Sequence, residues 1–188
     1  MSSLDTAISD CIATLESIRQ LAPRVEAAAE LVRASLTSGG KLLACGNGGS
    51  AADSAHFTTE FVCRFQADRR PYPAICFASE GSALTAIGND YHFEEGFARQ
   101  VRAFGKPEDV LVVFTSSGKS RNIARALEES RAIGMASIAF LGRDGGFTAG
   151  LATVDLLVPG TVTARIQEAH KLLLHVLCEQ VEPALATG

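Results

Sequence analysis

The sequence predicts an α/β protein: a three-layer sandwich with a five-stranded parallel sheet, preceded by an N-terminal helical extension. Three observations predict it. Five short apolar runs lack polar alternation, helix-period segments alternate with them, and residues 1–38 carry helical periodicity without a strand signal. Strands buried on both faces read as unbroken apolar runs, and parallel neighbours need crossover helices between them.

Taken in order, Leu4, Ile8, Cys11, Leu15 and Ile18 step by three and four, which places them on one helical face. Pro23 interrupts, and Val25, Ala28, Val32 and Leu36 carry a second helix until Gly39 and Gly40 stop it. The strand runs are Lys41–Cys45, Ala74–Phe77, Val110–Phe114, Ser137–Leu141 and Asp155–Val158. Helical patterns occupy about 50–64, 81–88, 93–103, 120–133 and 163–182. Right-handed crossovers put such helices on both faces of the sheet. No linker, repeat or low-complexity tract divides the chain, so 1–188 reads as a single domain.

Composition narrows the function classes. A chain of 188 residues, 47% hydrophobic, is long enough for a real core. With 17 Lys+Arg against 21 Asp+Glu, a formal charge of −4, 6% aromatics and no Trp, it lacks the basic face and stacking platforms of a nucleic-acid binder. No apolar run approaches the roughly 18 residues of a membrane span, and Met1-Ser2-Ser3-Leu4-Asp5 lacks the basic start of a signal peptide. Cys11, Cys45, Cys63, Cys76 and Cys178 form neither a disulfide framework nor a CxxC pair. The expectation is a reduced, cytoplasmic protein with no membrane or nucleic-acid partner, and its apolar balance hints at surface covered by other subunits.

In open α/β sheets, ligands bind beyond the carboxyl ends of the strands. Two loops there stand out: Gly46-Asn47-Gly48-Gly49-Ser50 after the first strand, and Thr115-Ser116-Ser117-Gly118-Lys119-Ser120 after the third. Each runs into a helix, where free backbone N–H groups and the helix dipole favour an anion, and the hydroxyls of Ser50, Thr115, Ser116, Ser117 and Ser120 are further donors. The plainer alternative is that Gly and Ser here serve only as turn and cap residues. Neither a Walker A loop nor a GxGxxG fingerprint is present, so no nucleotide is implied.

The helix after the first loop carries His56 and Glu60, which share a face at i and i+4. The last helix carries Gln167, His170, Lys171 and His175, with Gln167 and His175 about 12 Å apart along the axis on one side. If the two helices face each other, two His, one Glu and one Gln form an oxygen/nitrogen set suited to zinc or a similar divalent metal. Otherwise they are ordinary residues of two amphipathic helices. In either case a carboxylate and an imidazole suffice for proton transfer near neutral pH.

These segments resemble a known family. Cys45 to Asp53 with His56 and Glu60 is similar to the sugar-isomerase (SIS) fold, a flavodoxin-like architecture, and more narrowly to the phosphoheptose isomerases. The resemblance continues through Gly88-Asn89-Asp90, the 115–120 loop, Asp144-Gly145-Gly146 and Arg165-Ile166-Gln167-Glu168 to His175, and spans essentially the whole chain. It implies an aldose–ketose isomerase that interconverts sedoheptulose 7-phosphate and D-glycero-D-manno-heptose 7-phosphate, the first step toward nucleotide-activated heptose. By the same resemblance Glu60 is the general base and His175 the general acid. One Zn2+ per subunit is held by His56, Glu60, Gln167 and His175. Thr115, Ser116, Ser117 and Ser120 grip phosphate with help from Arg64, and Asn47, Gly48, Gly49, Ser50, Asn89, Asp90, Glu60 and Gln167 contact substrate. A homotetramer is implied too, with residues 1–38 in its packing, sites at subunit interfaces, and Gln167 and His175 serving a partner's Glu60.

Departures are modest: Lys119 stands where relatives often have Asn, Ser116-Ser117 where Thr-Ser is common, and Ala164 where some carry an acidic residue. A non-catalytic SIS adaptor of the replication-initiator-associating type is the competing reading, and such proteins lack the Glu and final His that this chain has. An isomerase of another phosphosugar is the other, although arabinose 5-phosphate isomerases generally carry an additional module.

Overall fold

The computed structural model describes residues 2–186. Two helices come first, α1 (Ser3–Ser17) and α2 (Ala22–Thr37). The alternating body follows as β1 (Leu42–Gly46), α3 (Gly49–Val62), β2 (Ala74–Cys76), α4 (Gly81–Asp90), α5 (Ala98–Phe104), β3 (Val110–Thr115), α6 (Arg121–Ala132), β4 (Ala136–Gly142), β5 (Val154–Val158) and α7 (Thr163–Leu185). Ser2 and Asp5 close a capping box at the start of α1. Pro23 opens α2 instead of breaking a longer helix, because a first-turn residue has no intrahelical N–H bond to lose.

The sheet is parallel throughout, in the order β2-β1-β3-β4-β5. From β1 the chain builds outward to β2 on one side and then to β3, β4 and β5 on the other. The β1/β3 boundary is therefore the topological switch point, and the crevice beyond the carboxyl ends of these strands is where such sheets take ligands.

Alternation along the strands divides the core between the two faces. Leu42, Ala44, Val110, Val112, Phe114, Ile138 and Phe140 pack with α2, α3 and α7. Leu43, Cys45, Leu111, Val113, Ala139 and Leu141 pack with Phe97 and Val101 of α5 and with Ile123 and Leu127 of α6. Successive side chains of a strand point to opposite faces, so helices on both sides require both sets to be apolar.

Three expectations change in detail. The Ala74–Phe77 run shrinks to the three-residue edge strand β2, only half buried. The 93–103 helix is a single 3-10 turn (Phe93–Glu95) followed by α5, with Gly96 between them. The apolar stripe of α1 buries none of its residues, leaving Leu4 67%, Ile8 50% and Ile12 56% exposed. Beside it a groove of about 440 Å³ runs between α1, α2 and α7, lined by Ile12, Leu15, Val25, Leu172, Leu173 and Val176.

Candidate active site

Both helices that carry the predicted ligands begin at the carboxyl ends of strands and pack on the same face of the sheet. They run parallel, in a register that repeats along their length. The Gln167 side chain lies against Gly49, Lys171 Nζ pairs with Asp53 Oδ1 at 2.9 Å, and His175 Nε2 lies 3.0 Å from His56 Nε2. An added Cβ at Gly49 would sit 2.4 Å from the Gln167 amide nitrogen, so glycine lets α7 come this close.

At the far end of this seam three donors converge within one chain. His56 Nε2 is 2.8 Å from Glu60 Oε1, and one ligand atom from each of His56, Glu60 and His175 lies within 4.8 Å of the others. Phe65 covers the His175 ring from one side, at 5.8 Å between centroids. Burial and then the Lys171 charge hold His56 below the usual imidazole range, which favours the neutral ring that a metal ligand requires. Two imidazoles and a carboxylate are the donor set of open divalent-metal sites, with a position left for water or substrate, and the residues present fit such an ion. Gln167 stands apart from this cluster, seven residues before His56 in helical register. His175 meets His56 and Glu60 of its own chain, so this convergence needs no second subunit.

The two loops meet at the switch point. Asn47, Ser50, Phe114, Thr115, Ser116, Ser117 and Ser120 line a pocket of about 130 Å³ between them. Gly118, at φ +62°, has no room for a side chain: a Cβ would sit 2.0 Å from the Gly145 carbonyl oxygen. Thr115 Oγ1 accepts from the Gly118 amide, and Thr148 Oγ1 donates to the Gly118 carbonyl at 2.7 Å, so the loop is braced from both sides. The neutral hydroxyls and the first turn of α6 give the pocket the character of an anion site without a buried cation.

Other predicted residues lie elsewhere. Asn89 and Asp90 end α4, exposed and bonded to each other, and are not among the pocket's lining residues. Arg64 is exposed just past α3, donating to the Gln66 carbonyl, and Lys119 and Ala164 are exposed. Sequence reasoning missed several supporting residues. Arg69 donates to the carbonyls of Glu60 and Phe61, two of the last acceptors of α3, and Glu182 of α7 accepts from the amides of Gln66 and Ala67. Asn122 pairs with Asn47. None of these sits at a spacing that a motif would flag.

The SIS domain family matches residues 8–142. Phosphoheptose isomerases from Shewanella loihica and Shewanella oneidensis are each 42% identical to it, over 91% of this chain and 88% of the first, and over 97% of this chain and 91% of the second. The chain belongs to the SIS family, among the phosphoheptose isomerases. Solved structures agree with this membership. The phosphoheptose isomerase of Neisseria gonorrhoeae superposes with a TM-score of 0.89 at 40% identity, covering 96% of this chain and 97% of that one. That of Francisella tularensis gives 0.88 at 37%, covering 97% and 100%. A Vibrio vulnificus NanR protein, at 16% identity and a TM-score of 0.69, shares the SIS fold alone.

Proposed function

We propose that this SIS protein is an aldose–ketose isomerase that interconverts sedoheptulose 7-phosphate and D-glycero-D-manno-heptose 7-phosphate. The observation that carries this reading is the pairing of an anion pocket with a carboxylate–imidazole cluster on one helix. Ser50 lines the pocket and His56 lies six residues on, about 9 Å along α3. That separation is of the order between the phosphate and the carbonyl end of an extended seven-carbon sugar. The pocket is smaller than the roughly 300 Å³ at which small-molecule sites begin, so it suits the phosphate end and leaves the rest of the sugar outside it. Phosphoheptose isomerases over 40% identical along nearly the whole chain support the same substrate.

The reaction moves one proton between C1 and C2 and another between the two oxygens, through an enediolate. Glu60 is the group that takes the carbon-bound proton and returns it to the neighbouring carbon. His175 serves the oxygens, donating as negative charge develops on the carbonyl oxygen. The loop hydroxyls and backbone amides hold the phosphate, and the binding energy gained there holds the reacting end in place. His56, Glu60 and His175 would hold a divalent ion, zinc by their chemistry, while Gln167, against Gly49, lies too far along the seam to join them in this arrangement. Such an ion, when bound, polarises the carbonyl and offsets the developing oxyanion charge. Glu60 and His175 also separate this reading from that of a non-catalytic adaptor. The exposed apolar stripe of α1 and the groove against α7 support a homotetramer, and the composition supports a cytoplasmic location.

The test is turnover of sedoheptulose 7-phosphate by the purified protein and by Glu60→Gln. The variant is expected to lose about 100- to 10,000-fold in kcat while retaining ligand binding. Turnover at the parent rate would remove Glu60 from the role of base, and absence of turnover in the parent would reject the substrate.

A further inference from the structure

Asn47 and Asn122 face each other across the switch point and exchange two amide hydrogen bonds, each 2.9 Å, from Nδ2 of one to Oδ1 of the other. Asn122 is 3% exposed, in the first turn of α6, directly after the 115–120 loop. Asn47 belongs to the first loop and lines the anion pocket, whereas Asn122 does not touch that pocket. Among the described residues, the other bonds at this junction lie within one loop or tie the second loop to the 145–149 turn. The reciprocal pair is thus the side-chain bridge between the two loops.

A primary amide has two N–H donors and an oxygen with two lone pairs. In a reciprocal pair each amide spends one of each on its partner. Asn47 is left with one N–H and one oxygen lone pair, in an orientation set by Asn122. Without Asn122 the Asn47 amide is free to rotate, and the loop carrying it is free to move away from α6.

We propose that Asn122 is a positioning residue for substrate binding, acting through Asn47 to fix both the amide it presents and the separation of the two phosphate-facing loops. This rests on the reading of the pocket as the phosphosugar site. Asn122 holds no part of the ligand, so its removal weakens binding while the proton-transfer groups on α3 and α7 stay in place.

The experiment is a double-mutant cycle on the full-length protein, with KM and kcat for sedoheptulose 7-phosphate and its affinity by calorimetry. Asn122→Ala is expected to raise KM roughly three- to tenfold, the loss of one or two net hydrogen bonds, with a smaller change in kcat. Asn122→Leu, which keeps the branched shape and removes both bonds, is expected to match it. In an Asn47→Ala background the same Asn122 substitutions are expected to add less than about twofold, because the residue through which they act is gone. A fall in melting temperature alone, with KM unchanged, overturns the proposal and leaves Asn122 a structural residue. So do KM effects of Asn47→Ala and Asn122→Ala that simply multiply. A parent protein that neither binds nor turns over the sugar phosphate rejects the functional reading instead, and this inference with it.

Discussion

Replacing Arg69 by Met tests whether the end of α3 is held from outside the helix. The Arg69 side chain is 2% exposed, and its two terminal nitrogens donate to the carbonyls of Glu60, Phe61 and Arg70. The Glu182 carboxylate lies 3.7 Å from Arg69 Nε, too long for a hydrogen bond, and spends its oxygens on the amides of Gln66 and Ala67. Met keeps most of the length and apolar stem but removes the charge, so two helix-end carbonyls lose their donor and Glu182 is buried without a counter-ion. Removing one partner of a buried pair costs about 3–5 kcal/mol. At roughly 2–4 °C per kcal/mol for a chain of this size, the melting temperature should fall by about 6–20 °C. Calorimetry of Arg69→Met, Glu182→Gln and the double variant reads this directly. The double variant should lose less than the sum of the singles, since no charge is left unpaired. A single variant that melts within about 2 °C of the parent would refute the reasoning, as would losses that fully add.

Three further outcomes follow from the same geometry. His170 is fully buried against Phe114 and Phe140, and burial holds its imidazole below the usual range despite the Leu141 carbonyl beside it. The fold therefore favours the neutral ring, so its contribution is complete above about pH 6.5 and is lost as the pH falls toward the lower folded value. Melting temperature should drop from about pH 7 to pH 5, and His170→Leu should flatten that slope; an unchanged slope would assign it to other groups. Elemental analysis of the purified protein should find one divalent ion per chain that His56→Ala and His175→Ala lose, and metal-free protein with full activity would remove the ion from the scheme. Ile8→Glu with Ile12→Glu should convert a tetramer into smaller species in sedimentation, whereas a parent that sediments as a monomer would leave the α1 stripe unexplained.

Most of the sheet was legible because its strands are buried on both faces, and the polar residues in Val110–Thr115 and Ala136–Gly142 are only Thr115, at the ligand loop, and Ser137, whose backbone and hydroxyl bond with Thr153. The weak points were local. β2 is a half-exposed edge strand, so burial imposes little pattern on it, and Gly96 separates a short turn from α5 within one segment of helical period. His56 and Glu60 were readable as a pair because a helix fixes i and i+4 by itself. Their meeting with His175 was not, since it depends on β5 lying at the opposite edge from β2 and on α7 crossing back over the α3 face. Arg69, Glu182 and Asn122 were silent for a related reason: each acts on backbone or on an amide more than five residues away, and no periodicity records such a bond.

The parallel seam between α3 and α7 also orders events during synthesis. Every strand and both ligand loops precede residue 160, but the third member of the His/Glu/His cluster and the carboxylate that caps residues 66 and 67 arrive only with α7. A nascent chain still missing that helix carries the residues of all five strands and both loops, but it lacks the α7 side of the core and one of the two proposed proton-transfer groups. On the proposed assignment of roles, proton transfer therefore waits for the synthesis of α7.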